Sequence, residues 1–579
     1  MAADNRIYWA VRPSKEMAEA LNGHVDRFEQ FVVNKGFADL QHECFRQFHG
    51  FSADGSSSRQ TSRHGPDGAV VRLVMNHMRA FGTVLANTWS DAIPGLRPVG
   101  KTSDYKAESE GRLAENLLRH YMDEGRLEAI IRKAIETATW SGEQWVAACW
   151  NPMAGDLMMV DESGRPGYEG DLVFRRYGPL DAIRNPSWKS PEVPWVAFRD
   201  HENRHELLAA YGSGVDESGR PLEQAILDAS PRYQRLESLR RARDPFGRNS
   251  PDSDDPDLLE VWHLYHEKTP ACPLGRQAVV LASGLAVLED GPLRYDRMPG
   301  RRFAPADIEG TPWGYAPLWD VKGPASGINN LWSVVLSRIG AFGLPMIAAP
   351  QGSQVSAQDI GQGLRLYEYP PGQHADDIRP VDLCQVPSDV VTAGQRLMTE
   401  TQMVSGVNDV NLGIAPDTLR SGSALAFADS RAAQFSAGTT RRVRDFVASV
   451  ASDVIATLRQ YVETPRVQAL AGQDALSMQE EEYAGQNLST IRRVQPVPVD
   501  PMSASPSGRA EILQMLMTSP DSQYHPSLKQ VFSDYDNEVL VEAGLVIDRG
   551  DEDGASRKRY DRFRDRIMFP IRNTKGQVI

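Results

Sequence analysis

Residues Arg199–Leu208 read RDHENRHELL, and within them His201, Glu202 and His205 spell H-E-x-x-H. On a helix that spacing puts two imidazoles one turn apart, where they can hold a zinc ion while the glutamate activates a bound water. Residues Gly95–Thr102 read GLRPVGKT, which fits G-x-x-x-x-G-K-[ST] through Gly95, Gly100, Lys101 and Thr102. In a phosphate-binding loop the backbone N–H groups cradle phosphate, the lysine reaches it, and the hydroxyl meets magnesium. Leu157–Glu162, LMMVDE, has the apolar run and acids of the strand that partners such a loop. Two enzyme chemistries are therefore spelled out: metal-assisted hydrolysis and nucleotide binding.

Both fail on the context that the chemistry needs. A zinc-binding helix buries its ligand face, yet Arg199, Asp200, Asn203 and Arg204 surround this one, and Arg204 puts a cation beside the ion. Glu223 can be nominated as a third ligand, but any long chain offers some glutamate. The simpler reading is the polar first turn of a surface helix whose apolar side is Leu207, Leu208 and Tyr211. A phosphate loop needs a buried strand ending at its first glycine; before Gly95 stands ANTWSDAIP, the tail of a helical pattern. Pro98 removes an N–H from a loop that works through N–H groups, and Ser103 and Asp104 cap the next helix without a ligand. LMMVDE reads as one arm of a tight meander with its turn at Asp161–Gly164. All seven motif residues are accordingly expected to be decoys, with no catalytic residue, no metal and no cofactor.

The elements that would position any site follow from bulk properties and periodicity. A chain of 579 residues is expected to form several domains, and a net charge of −14 argues against a surface that grips DNA throughout. Cys44, Cys149, Cys272 and Cys384 are far apart, which suits a reducing compartment. With neither a signal-peptide core nor an apolar run of about 20 residues, the expectation is a soluble protein, cytoplasmic where it is made, with no membrane partner. Helical spacing predicts helices over 13–50, 69–90, 104–141, 326–343, 388–404 and, in one long run kinked near Gly438, 421–462. WVAACW, DLMMV and DLVFRRY read as meander strands, and LEVWHLYH with RQAVVLASG as a further pair. Residues 344–386 are rich in Pro and Gly with short apolar runs, an extended module between two helices. Helical patterns return at 508–518 and 525–543, and a basic segment, SRKRYDRFRDRIM, spans 556–568.

From about residue 70 to 510 this order resembles the portal proteins of tailed bacteriophages, the head-to-tail connector family. The resemblance rests on Val74–His77 followed by PGLRPVGKTSD, on WVAACWNP, on RYGPLDAIRNPSWKSPEVPWVAFRDH, and on EGTPWGYAPLWDVKGPASGINNL. Its most specific phrase is VPSDVVTAGQRLMTETQMVSGVNDVNLGIAPDTLRSGSALA (386–426), a helix, a loop and an S-G-x-A-L helix start.

The resemblance implies an α+β, multi-layer portal fold. An N-terminal helical segment and flexible loop (1–69) would precede an α/β wing (70–316). A stem helix (317–343), a small extended clip (344–386), a second stem helix (387–404) and a channel loop (405–420) would follow. A long kinked wing helix (421–465) would lead to a mainly helical crown and C-terminal region (466–579). It further implies a homo-oligomeric ring, usually of twelve subunits, at one capsid vertex of the virion, assembled in the host cytoplasm. That ring would be a structural protein and not an enzyme, packaging and ejecting viral DNA. Its implied partners are the terminase large subunit, a head-completion or tail adaptor protein, capsid and scaffolding proteins, and double-stranded DNA passing non-specifically. Asn408, Asp409, Asn411, Asp417 and Arg420 would line the channel loop, Arg396 the stem, and Ser421, Gly422, Ala424 and Leu425 would allow close subunit packing. The competing expectation is an NTP-binding or zinc-dependent enzyme that uses GLRPVGKT or HENRH.

Overall fold

The computed structural model describes residues 7–50, 73–100, 105–160, 166–217, 219–231, 257–342, 346–350, 365–369, 379–381, 388–407, 422–461, 491–496, 546–549 and 558–561, with 239, 242 and 488 singly. The chain divides into two compact units, Met1–Pro498 and Val499–Ile579. Within the described residues both helix and sheet are present, and no helix is long and apolar enough to cross a membrane.

The first unit opens with helices α1 (Ser14–Asn34) and α2 (Phe37–His49). They are separated by Gly36, whose φ of +68° is a left-handed position that favours glycine and ends the first helix. Helix α3 (His77–Ser90) starts at the N-cap Asn76, whose side chain accepts from the Arg79 N–H. Strand β1 (Leu96–Gly100) follows, then α4 (Tyr105–Asp123) and α5 (Leu127–Ser141). The single helix expected over 104–141 is thus two, because Gly125 and the left-handed Arg126 (φ 55°) turn the chain between them.

A sheet-forming section comes next: β2 (Gln144–Asn151), β3 (Leu157–Val160), β4 (Pro166–Tyr168), β5 (Asp171–Tyr177), β6 (Ala182–Ile183) and β7 (Trp195–Asn203). Two short helices, α6 (Arg204–Tyr211) and α7 (Leu222–Leu227), precede β8 (Leu258–His266), β9 (Arg276–Leu281), β10 (Val287–Gly291), β11 (Gly300–Phe303), β12 (Ala306–Asp307) and β13 (Gly314–Tyr315). The pairings are antiparallel and give a five-stranded sheet in the order β10-β9-β8-β7-β6 and a three-stranded sheet in the order β11-β2-β5. Strands β3 and β4 form a separate hairpin.

Helix α8 (Leu318–Phe342) begins well before the expected start at Ser326 and carries Pro324 within it. Strands β14 (Met346–Pro350), β15 (Arg365–Tyr369) and β16 (Arg379–Val381) form a small sheet in which β14 runs parallel to β15 and antiparallel to β16. Helix α9 (Ser388–Ser405) packs on α8 where Gly394 lies close to Leu331, and Gly327 close to Leu397. Helix α10 (Gly422–Gln460) is continuous through Gly438, so its 39 residues run unbroken for roughly 60 Å. Strand β17 (Ile491–Pro496) then pairs with β1.

Among the described residues, four apolar cores hold this unit. The largest joins α2, α3, α4, α5, α8 and α10 to one face of the three-stranded sheet. Strand β2 is buried on both faces, which is why WVAACW is an unbroken apolar run: Val146 and Ala148 face the helices, while Trp145 and Ala147 face the five-stranded sheet. Helix α1 covers the far face of the five-stranded sheet with Met17, Leu21, Val25, Phe28 and Val32, all at 0% exposure. Burial at that level contributes about 1.5–3 kcal/mol per large side chain. A fourth, smaller core seats α6 and α7 on the near face, on Leu259, Val261, Val279 and Leu281.

In the second unit the described residues are two strands, β18 (Val546–Arg549) and β19 (Lys558–Asp561). They pair antiparallel, with Arg549 opposite Lys558 and Asp548 opposite Arg559.

Candidate functional sites

The H-E-x-x-H segment is not a helix. His201 and Glu202 lie in β7, which pairs with β8 along its whole length to Asn203↔Leu258. Successive strand residues point to opposite faces, so His201 and Glu202 cannot share an ion in the way the motif requires. The helix starts only at Arg204, because Asn203 is its N-cap and accepts from the His205 N–H at 2.8 Å. The His205 side chain is 72% exposed and lies 3.8 Å from Asp257. Asn203 with Glu206 three residues on is a cap pattern that marks this start in the sequence. Arg199, read as a surface charge, is fully buried on the α1 face, where it pairs with Glu29 and Glu260.

The phosphate-loop pattern fares no better. Its Leu96–Gly100 section is itself a strand, with Pro98 opposite Val494, and the element before Gly95 is α3 rather than a strand. Lys101 and Thr102 lie outside the described residues, as do Asn408, Asp409, Asn411, Asp417, Arg420 and Ser421. Gly422, Ala424 and Leu425 open α10. Arg396 stands on α9 with its side chain 80% exposed and pairs with Glu400 one turn on, at 3.0 Å. An exposed pair of this kind contributes only about 0.3–0.5 kcal/mol.

Two other charged clusters are far more ordered. The first centres on Glu143, which is fully buried. Arg184 and Arg302 donate to its two carboxylate oxygens, and the Gly314 N–H adds a third bond at 3.0 Å. Burial would raise the Glu143 pKa, but the two guanidinium groups outweigh it and hold the carboxyl below its ordinary value. Arg184 also donates to the carbonyls of Ala182 and Pro312 and lies 4.1 Å over the Trp313 ring. The chain of pairs continues from Arg302 to Asp307 and on to Arg442 of α10. This cluster ties sheet, loop and long helix together, and both carboxylate oxygens of Glu143 are engaged by its own members.

The second cluster joins residues from three strands: Arg175 (β5), Asp200 and Glu202 (β7), and His263 (β8). Arg175 meets Asp200 at 2.6 Å and Glu202 at 2.7 Å, and His263 Nε2 lies 3.2 Å from Glu202. Tyr177 donates to Asp200 at 3.2 Å. Burial pushes Glu202 up, but the His263 hydrogen bond and Arg175 more than offset it, bringing the carboxyl down to about 2. The glutamate of the motif thus partners a histidine outside it, a link that sequence spacing does not carry.

Comparison with known proteins bears on the second unit. A family model described as the DNA primase catalytic core, N-terminal domain, matches residues 519–579. The curated relatives that match are DNA primases. That of Neisseria meningitidis serogroup A is 56% identical over 52 residues, 9% of this chain and 8% of that protein. That of Pseudomonas putida is 56% identical over 41 residues, 7% of this chain and 6% of the relative. That of Halalkalibacterium halodurans is 50% identical over 46 residues, 8% and 7% respectively. The chain therefore spans less than a tenth of the length of the curated relatives it matches.

These matches overturn the portal resemblance and what hung on it. The phage connector family, the role in packaging and ejecting viral DNA, and the place in the virion are all corrected. So are the twelve-subunit ring and the terminase, adaptor, capsid and scaffolding partners. The expectation that the chain is not an enzyme is corrected too, since the matching relatives bear an enzyme's name. The physical reason lies in what each kind of match specifies. Phrases such as S-G-x-A-L or a strand ending at a proline are helix starts and turns, which capping and turn chemistry place in many folds. Identity of 56% along 52 residues specifies a module. The signal for it in the sequence was the basic segment 556–568, in which Tyr560 and Phe563 interleave with Arg557, Lys558, Arg559, Arg562, Arg564 and Arg566.

Proposed function

We propose that this chain is a primase-type protein that acts on DNA in primer synthesis, with residues 519–579 as the part that engages the template. The observation that carries this reading is the match of that segment to the N-terminal domain of a primase catalytic core, beside a DNA primase 56% identical over 52 residues of this chain. The segment's chemistry supports it. A chain of net charge −14 concentrates six cations among the thirteen residues 556–568, against Asp561 and Asp565 alone. Clustered Arg and Lys neutralise backbone phosphates, and aromatic side chains stack on unpaired bases. Template engagement comes first in this account and nucleotide addition to a primer second, so the two can fail separately.

The test is binding of labelled single-stranded DNA by the full chain, followed by fluorescence anisotropy over a range of salt. Replacing Arg559, Arg562 and Arg564 together by Ala is expected to weaken binding at least tenfold and to lower the salt dependence by about 2, at roughly 0.7 per lost phosphate contact. Equal affinity of the two proteins at every salt concentration would overturn the assignment of the template to this segment.

A further inference from the structure

Asp200 and Glu202 are two positions apart on β7, so both side chains leave the same face of the five-stranded sheet. His263 on β8 shares that face, opposite Phe198. The face is apolar to either side of them. Val196, Phe198 and Tyr265 pack beneath Trp145 and Tyr177 of the three-stranded sheet, while Leu259, Val261 and Val279 pack beneath α6 and α7. The three polar residues sit in the notch between these layers, with side-chain exposures of only 27% for Asp200, 18% for Glu202 and 14% for His263. One ligand atom from each of the three lies within 4.8 Å of the other two.

The present occupant of the notch is a cation, and it binds in a telling way. Arginine commonly meets carboxylates through the two prongs of its fork. Here both carboxylates converge on a single nitrogen, Nη1 of Arg175, at 2.6 and 2.7 Å. The focus of the cluster is therefore one atom-sized point of positive charge. Arg175 reaches it from β5 with 37% of its side chain exposed, so its head has water available when it leaves.

We propose that this notch is a divalent metal site of the zinc, manganese or cobalt class, ligated by Asp200, Glu202 and His263, with the Arg175 guanidinium as its competing occupant. Two carboxylates and one imidazole suit these ions, and the two negative charges balance the metal's two positive ones. Ligands about 2.1 Å from a metal are at most about 4.2 Å from each other, so the donors need to close by less than about 1 Å. The site is distinct from the H-E-x-x-H reading: it shares Glu202 with that motif and uses neither of its histidines. It is also independent of the role given to residues 519–579.

The experiment is titration of the chelator-treated full chain with Co2+, read by visible absorbance and calorimetry, on the wild type, Arg175→Gln, and Arg175→Gln with His263→Ala. Removing the guanidinium is expected to tighten binding of one Co2+ per chain at least tenfold, and adding His263→Ala to abolish that gain. Circular dichroism establishes that each variant is folded. Arg175→Gln binding no tighter than wild type, or unaffected by His263→Ala, would overturn the proposal. Should Arg175→Gln not fold, wild type and His263→Ala decide it: a tenfold loss of Co2+ affinity supports the site, and equal affinity overturns it.

Discussion

Arg184 and Glu143 face each other with both side chains wholly out of water. A buried pair of this kind adds little over apolar packing, but breaking it is costly because one charge is left behind. Arg184→Met is therefore expected to lower stability by about 3–5 kcal/mol, measured by denaturant unfolding. Adding Glu143→Gln to it should cost less than the sum of the two single changes, since the carboxylate that Arg184 neutralised is then uncharged. Strict additivity would show that the two residues do not act as a pair. Arg184→Lys should not rescue, because an ammonium cannot both stack on Trp313 and reach Glu143, Ala182 and Pro312.

Glu202 supplies a pH dependence with a definite sign. Its carboxyl is held down at about 2 in the folded chain, against an ordinary value of 4.5. The stability it contributes is fully present above the unfolded value and is lost as the pH falls through the folded one. Glu202→Gln is thus expected to cost about 3 kcal/mol at pH 7 and progressively less between about pH 4.5 and 2. Thermal melts of the two proteins should converge toward pH 2; a gap independent of pH would show that Glu202 acts by shape alone.

Gly314 marks a close approach that no side chain tolerates. A Cβ there would collide with the Gly142 carbonyl oxygen, beside the N–H that Gly314 gives to Glu143. Gly314→Ala is expected to destabilise by about 2 kcal/mol or more. Gly219→Ala is the control: its φ of +78° strains a side chain, but nothing lies within 4 Å, so about 1 kcal/mol is expected. Equal effects would remove the close contact as the cause.

The motif residues make a negative prediction. His205→Ala, on a side chain 72% exposed, is expected to leave metal content and Co2+ affinity unchanged. Loss of bound metal on that change would restore the zinc-helix reading.

Much of the fold was legible because periodicity is local. The α1 stripe Met17, Leu21, Val25 and Phe28 is visible at helical spacing, although the sequence points to Phe31 where the structure buries Val32, and β2, β8 and β9 are visible as short apolar runs. What spacing does not carry is pairing across the chain. His263 meets Glu202 only because β7 and β8 align in one register, and Arg302 of β11 meets Glu143 just before β2 because those two strands pair. Strand alternation also undid the H-E-x-x-H pattern: five letters fix a spacing, and Asn203 decides where the helix starts. The portal phrases failed for the same reason, since turn and cap residues are shared by unrelated folds. The segment 556–568 is plainly basic in the sequence, but charge alone does not distinguish a nucleic-acid-binding face from a solvated one.

The most direct measurement is primer synthesis by the purified full chain on a single-stranded DNA template with ribonucleotides and magnesium. Labelled short oligoribonucleotides are expected, with their yield cut at least tenfold when Arg559, Arg562 and Arg564 are replaced by Ala. A folded chain that makes no primers and binds single-stranded DNA no better than that variant would contradict the account.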